Sequence, residues 1–174
     1  MRKAFTLIEM MISVVILSII MLFLYQAYAS LNRSNVFYGI KSDAIKDEQL
    51  KKQIVYMDFS LAQLGTIQIL NQDKQSDVVF LQSSHSLHKK YNPYVGYIAK
   101  NNKLYRIESL EKFEEYPLNL DDQFVVDYMG EIDSFRVYKT SKTVENKAQN
   151  IYLAHINFKK ENDIVLKVKV LNDY

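Results

Sequence analysis

Apolar residues run from position 5 to position 24 with only Thr6, Glu9, Ser13 and Ser18 between them. Roughly 20 such residues suffice to cross the hydrocarbon core as a helix, so the run predicts a single transmembrane segment. From Tyr25 the polar content rises, yet apolar positions recur at Leu50, Ile54, Met57, Leu61 and Leu64, the alternation of four and three that marks one helix face. The helix is therefore expected to continue to about Leu64, with Gly65 as its carboxyl-terminal stop. Whether it runs unbroken through residues 32–39 stays open, because Asn32, Ser34, Asn35 and Gly39 are poor helix formers. The stripe spans too few heptads for a coiled coil and is expected to pack on a sheet.

Beyond Gly65 the period changes. Residues 78–82, 94–99, 104–109, 124–128, 132–139, 151–158 and 164–171 form short runs rich in β-branched and aromatic side chains, the composition of strands. Asn101-Asn102 can supply the positive backbone angles of a tight hairpin turn, and residues 160–163 make a second connection. In the last run Ile164, Leu166, Val168 and Val170 alternate with Val165, Lys167, Lys169 and Leu171, which predicts one buried and one wetter face. The expected class is α+β, a long amino-terminal helix packed on an antiparallel sheet. Its segments are residues 1–4, 5–24 in the membrane, 25–65 as the helix beyond it, and 66–174 as the sheet domain.

Charge orients this arrangement. Arg2 and Lys3 precede the apolar run with no acid beside them, which by the positive-inside bias puts the amino end in the cytoplasm and the sheet domain outside. A cleaved secretory peptide would have a shorter apolar core and a clear small-residue cut site; here Ala27, Ala29 and Ser30 are weak substitutes. A net charge of +2 gives no bulk attraction to nucleic acid or anionic lipid. Cysteine is absent, so no disulfide braces an exported domain. Glu9 is the outlier, since an ionised group at a bilayer centre costs about 2.5–3.5 kcal/mol on insertion scales and persists with a partner or a task.

A short basic leader, a small residue, then Phe5-Thr6-Leu7-Ile8-Glu9 and a long apolar stretch resembles the prepilin signature of type IV pilins and type II secretion pseudopilins. The resemblance covers about the first 30 residues. It implies cleavage by prepilin peptidase between Ala4 and Phe5, with Ala4 where the family usually has Gly, and N-methylation of Phe5. It also implies that Glu9, one helical turn beyond the new terminus, pairs with the terminal amine of a neighbouring subunit during filament assembly. A weaker likeness to the J-type minor pseudopilin and the W-type minor pilin rests on three stretches. These are Met57-Asp58-Phe59-Ser60-Leu61, Leu104-Tyr105-Arg106 and Asp133-Ser134-Phe135-Arg136-Val137-Tyr138. The missing cysteine and the absence of proline from the apolar helix point the same way, toward a minor subunit.

Little else in the chain suggests chemistry. His85 and His88 sit three apart, but no third ligand is close in sequence, and a solvated loop is the expectation. Asp121, Asp122, Asp127, Glu131 and Asp133 are candidate calcium ligands, yet their spacing matches no EF-hand loop, and no resident metal or cofactor is expected. With 4 glycines there is no phosphate loop or nucleophile elbow, so catalysis is not expected. The 13 tyrosines and 9 phenylalanines can stack on single-stranded DNA, but Lys51-Lys52, Lys89-Lys90 and Lys159-Lys160 are too dispersed to define a groove.

The sequence thus reads as a minor pilin or pseudopilin, single-pass in the inner membrane and then part of a periplasmic or surface filament. Its partners would be other pilin subunits, prepilin peptidase and an inner-membrane assembly platform. The alternative is a DNA- or substrate-binding minor subunit of a competence or secretion filament.

Overall fold

A computed structural model describes residues 6–63, 65–71, 75–113, 115–118, 123–144 and 147–171. The chain divides into two compact units, Met1–Asp47 and Glu48–Tyr174.

One helix, α1 (Leu7–Ser60), runs without a break through residues 32–39. Isolated Asn, Ser or Gly residues each cost about 1 kcal/mol or less in a helix interior, too little to interrupt one set among good formers. Its amino-terminal part contains a stretch long and apolar enough to cross a membrane, none of it buried within the chain.

In the second unit, seven strands follow in chain order: β1 (Gln68–Asn71), β2 (Asp77–Gln82), β3 (Tyr94–Lys100), β4 (Lys103–Ser109), β5 (Val125–Val144), β6 (Lys147–Phe158) and β7 (Ile164–Lys169). Each pairs antiparallel with the next, so the sheet is a meander without crossovers. The β3–β4 turn uses Asn101 and Asn102 at φ 51° and 57°, as their sequence predicts. β7 alternates as expected, with Ile164, Val168 and Val170 buried and Val165, Lys167 and Lys169 exposed.

Residues 124–128 and 132–139, separate in the sequence reading, belong to the single strand β5. Pairing with β4 slips at Met129, and pairing with β6 slips at Asp133. Two bulges within five residues bend the strand, and the bend lets it serve both halves of a curled sheet. Beyond the bend β5 has left β4 and meets the chain ahead of β2. Phe135 N–H donates to the Gln75 carbonyl at 3.1 Å, and the Asp77 carboxylate accepts from Val137 N–H at 2.8 Å and from Arg136 at 3.0 Å.

The main core joins Val55, Phe59 and Ala62 to inward residues of the sheet, among them Val79, Leu81, Tyr97, Leu104, Phe135, Tyr152 and Ile156. A second cluster of Val78, Phe80, Ile98, Ile107 and Phe113 covers the opposite face of β2–β4. β2 is therefore buried on both faces and reads as a continuous apolar run.

The end of the helix and its buried face differ from expectation. The helix ends at Ser60, not near Leu64, because the next residues are claimed by β2: Ala62 bridges Ser83, and Gln63 N–H donates to the Gln82 carbonyl at 2.7 Å. Gly65 does take the left-handed conformation, φ 74°, but after this pairing rather than as the cap. The buried helix residues are Ile54, Val55, Asp58, Phe59 and Ser60, rotated from the expected stripe: Leu50 is 55% exposed, Met57 and Leu61 are half-buried, and Leu64 lies outside the described residues. The rotation follows from Asp58, a fully buried acid in the centre of the packed face.

Candidate functional site

Thr6 and Glu9 close a capping box at the start of α1. Thr6 N–H and Thr6 Oγ1–H donate to Glu9 Oε2 at 2.9 and 2.8 Å, and Glu9 N–H points back to Thr6 Oγ1 at 3.4 Å. This Thr-x-x-Glu reciprocity satisfies amide donors that the first helical turn otherwise leaves open. The acid that stands out in the apolar run is thus partnered within its own chain. The sequence reading did not single out this role, although Thr-x-x-Glu ahead of an apolar run is the local signal of a helix start; it is separate from the role the pilin resemblance implies. Ser13 and Ser18 donate to the carbonyls of Glu9 and Val14 at 2.7 and 2.8 Å, so the other hydroxyls of the run are also satisfied locally. Ala4 and Phe5, the expected cleavage and methylation positions, lie outside the described residues.

A second polar cluster sits under the sheet and escaped the sequence reading. Asp58 on α1 receives Arg106 of β4 through Nε at 2.8 Å and Nη2 at 3.2 Å, and the Tyr97 hydroxyl of β3 at 2.6 Å. Arg106 Nη1 reaches Glu108 at 2.8 Å and Asp127 of β5 at 3.3 Å. Asp58, Arg106 and Glu108 are fully buried. Arg106 is held above its ordinary pKa despite burial, chiefly by Asp58; burial and then the Asp58 charge push Tyr97 upward, so its hydroxyl remains a donor.

The loop between β2 and β3 docks on these acids. His85 Nδ1 lies 2.6 Å from Asp58 Oδ1, and His88 Nε2 lies 3.0 Å from Asp127. Ser86 Oγ–H and Leu87 N–H donate to Glu108 at 2.6 and 3.1 Å, and the Lys90 ammonium donates to the Glu108 carbonyl at 2.8 Å. The histidines therefore do not lie in a freely solvated loop; each is partly covered against a carboxylate. Their spacing of three places them on different acids from different elements, which no local pattern announces.

Burial raises the Glu108 carboxyl, but the Ser86 hydroxyl, the Arg106 guanidinium and the Leu87 amide together hold it below its ordinary value. A carboxyl lowered in the folded state stabilises the fold above its unfolded pKa, about 4.3, and that contribution is lost as pH falls through the folded value. Thermal unfolding in detergent should therefore hold a plateau down to about pH 5 and decline below it. Glu108→Gln should flatten the acid limb; an unchanged limb would remove Glu108 as its source.

Of the calcium candidates, Asp127 is engaged by Arg106 and His88, Glu131 lies 3.4 Å from Lys160, and Asp133 is exposed at the bulge. Asp121 and Asp122 lie outside the described residues. Among the described residues, no three His, Asp or Glu side chains converge on a point that could hold a metal. Several lysines of the basic pairs weighed for DNA have partners within the chain: Lys51 binds Glu161, Lys52 binds Glu48, Lys90 donates to the Glu108 carbonyl, and Lys160, itself well exposed, lies 3.4 Å from Glu131.

Residues 1–25 match the family described as the prokaryotic N-terminal methylation motif, the prepilin signal of type IV pilins and pseudopilins. Comparison with curated proteins and with solved structures gives no match. The chain therefore carries a pilin-type amino terminus on an α+β arrangement like that of pilins.

Proposed function

We propose that this chain is a minor structural subunit of a type IV pilus-like or type II secretion-like filament. The observation that carries the reading is the match of residues 1–25 to the methylation motif, with Glu9 on the first turn of the apolar helix. Prepilin peptidase cuts after Ala4, and Phe5 becomes a methylated terminus on the cytoplasmic side, where Arg2 and Lys3 hold the leader. The sheet domain is then periplasmic. Both Thr6 donors converge on Oε2 of Glu9. Oε1 is the oxygen offered to the amine of a neighbouring subunit, a charge pair that strengthens as water is excluded. The role is assembly rather than catalysis.

Glu9→Ala and Glu9→Leu test this. Membrane insertion should be unchanged, because the apolar run is untouched. Recovery of the protein in sheared filaments should fall more than tenfold, since a buried amine left without its carboxylate costs about 3–5 kcal/mol. Normal incorporation of either variant would overturn the reading.

A further inference from the structure

The loop of residues 83–93, between β2 and β3, is held down by polar contacts, while its large apolar side chains Leu87 and Tyr91 face water. Three carboxylates meet beneath it: Asp58 of α1, Glu108 of β4 and Asp127 of β5. Arg106 of β4 contacts all three. Asp58 and Glu108 are fully buried, and the Asp127 side chain is 25% exposed. One guanidinium offsets one of three negative charges, and a buried charge left without a counter-charge is costly. Tyr97 of β3 gives Asp58 a hydroxyl proton but no charge. Lys90, on the loop itself, turns its ammonium to the Glu108 backbone carbonyl at 2.8 Å.

The two imidazoles stand where positive charge is missing. His85 Nδ1 lies 2.6 Å from Asp58 Oδ1, and His88 Nε2 lies 3.0 Å from both oxygens of Asp127. The same loop holds two side chains in the left-handed backbone region, Lys89 at φ 60° and Asn92 at φ 45°. Lysine in particular is disfavoured there, so the docked form carries a tendency to open that the polar contacts oppose. Charge on the rings decides between the two.

We propose that the β2–β3 loop is a pH-sensitive clasp, closed while His85 and His88 are imidazolium ions and loosened when they lose their protons. Histidine is the side chain that changes charge between about pH 5 and 8. A neutral imidazole keeps one N–H and can hold the same hydrogen bond, but a bond between two ionised groups is about twice as strong. Docking favours the protonated rings, so closure is complete in mild acid and is lost as rising pH removes their protons. As the loop lifts, Glu108 loses the Ser86 hydroxyl and the Leu87 amide, and water reaches the acids around Arg106. The clasp is a property of the sheet unit and does not depend on the filament reading.

The test uses the full chain in detergent. Ring-nitrogen chemical shifts of labelled histidines distinguish imidazolium from imidazole, and at about pH 6.5, where a free histidine is half protonated, His85 and His88 should both be mostly imidazolium. Amide exchange at Leu87, His88 and Lys90, corrected for the intrinsic effect of pH, should speed up about tenfold or more between about pH 5.5 and about pH 8. Tyr152 and Ile156, in a strand paired on both sides, should stay protected throughout. Melting reports the strands, which can stay paired while the loop opens, so exchange is the measurement that senses the clasp. His85→Asn with His88→Gln keeps an N–H donor at each acid without the charge, and should abolish the pH dependence of loop exchange. Mostly neutral rings in the native protein at about pH 6.5 would overturn the clasp whether or not the double variant folds. Loop exchange that does not change with pH, or a pH dependence unaltered in the double variant, would overturn it equally.

Discussion

Arg106→Met should destabilise the sheet unit by about 3–5 kcal/mol, the cost of removing one partner from a buried ionic cluster. The substitution keeps much of the volume but leaves Asp58 and Glu108, both without solvent access, facing each other across an apolar gap, with Asp127 beside them. Against a total stability of about 5–15 kcal/mol this is a large fraction. The midpoint of urea denaturation should fall, and the β2–β3 loop should lose amide protection first, because Ser86, Leu87 and His88 dock on acids that Arg106 holds in place. Arg106→Lys should recover only part of the loss, since one ammonium cannot replace a planar fork that meets three carboxylates. Replacing Asp58, Arg106 and Glu108 together with apolar residues of similar volume should restore part of the stability, because the stranded charges are gone while the buried Tyr97 hydroxyl and the Leu87 amide lose their acceptors. An unshifted midpoint for Arg106→Met would show that the cluster carries no net stability.

Gly130→Val should be nearly as damaging, for reasons of space and backbone rather than charge. Gly130 has φ 141°, where side chains are strained, and a Cβ there would sit 2.8 Å from Cε1 and 3.0 Å from Cδ1 of Phe158. Backbone strain and overpacking are each worth about 1–3 kcal/mol. Phe158 is confined, buried in the core with the Lys51 ammonium over its ring at 5.3 Å. Circular dichroism melts should show the loss. Gly39→Ala, at an exposed helix position with open space around the new Cβ, should instead raise the melting temperature slightly.

These two sites also show where the sequence stops being readable. A hairpin at Asn101-Asn102 is a local matter, because residues that tolerate positive φ are rare and their positions tell. The apolar span and the seven strands are likewise written in runs of neighbouring residues, except for β1, whose four positions are too short and too exposed to stand out. Asp58 is different. Its burial depends on Arg106, 48 residues later, so a pattern of apolar positions treats it as solvent-facing and rotates the helix face. Gly130 misleads in the opposite sense: it looks like a break between two strands and is the bend within one. For Glu9 the local pattern Thr-x-x-Glu reveals the capping role, while the assembly role has no signature except the resemblance of the first residues.

The meander gives folding a direction. Every strand pairs with the one made just before it, so a chain emerging from its amino terminus can lay down the sheet in order, each new strand finding its edge already present. Beside the β5 contacts at Gln75 and Asp77, another contact reaches back across that order. Leu171 N–H donates to the Ser60 carbonyl at 2.8 Å, where the last strand returns to the end of the helix. Until Leu171 is made this bond cannot form, so the end of the helix is tied to the far edge of the sheet only after the strands before it are in place.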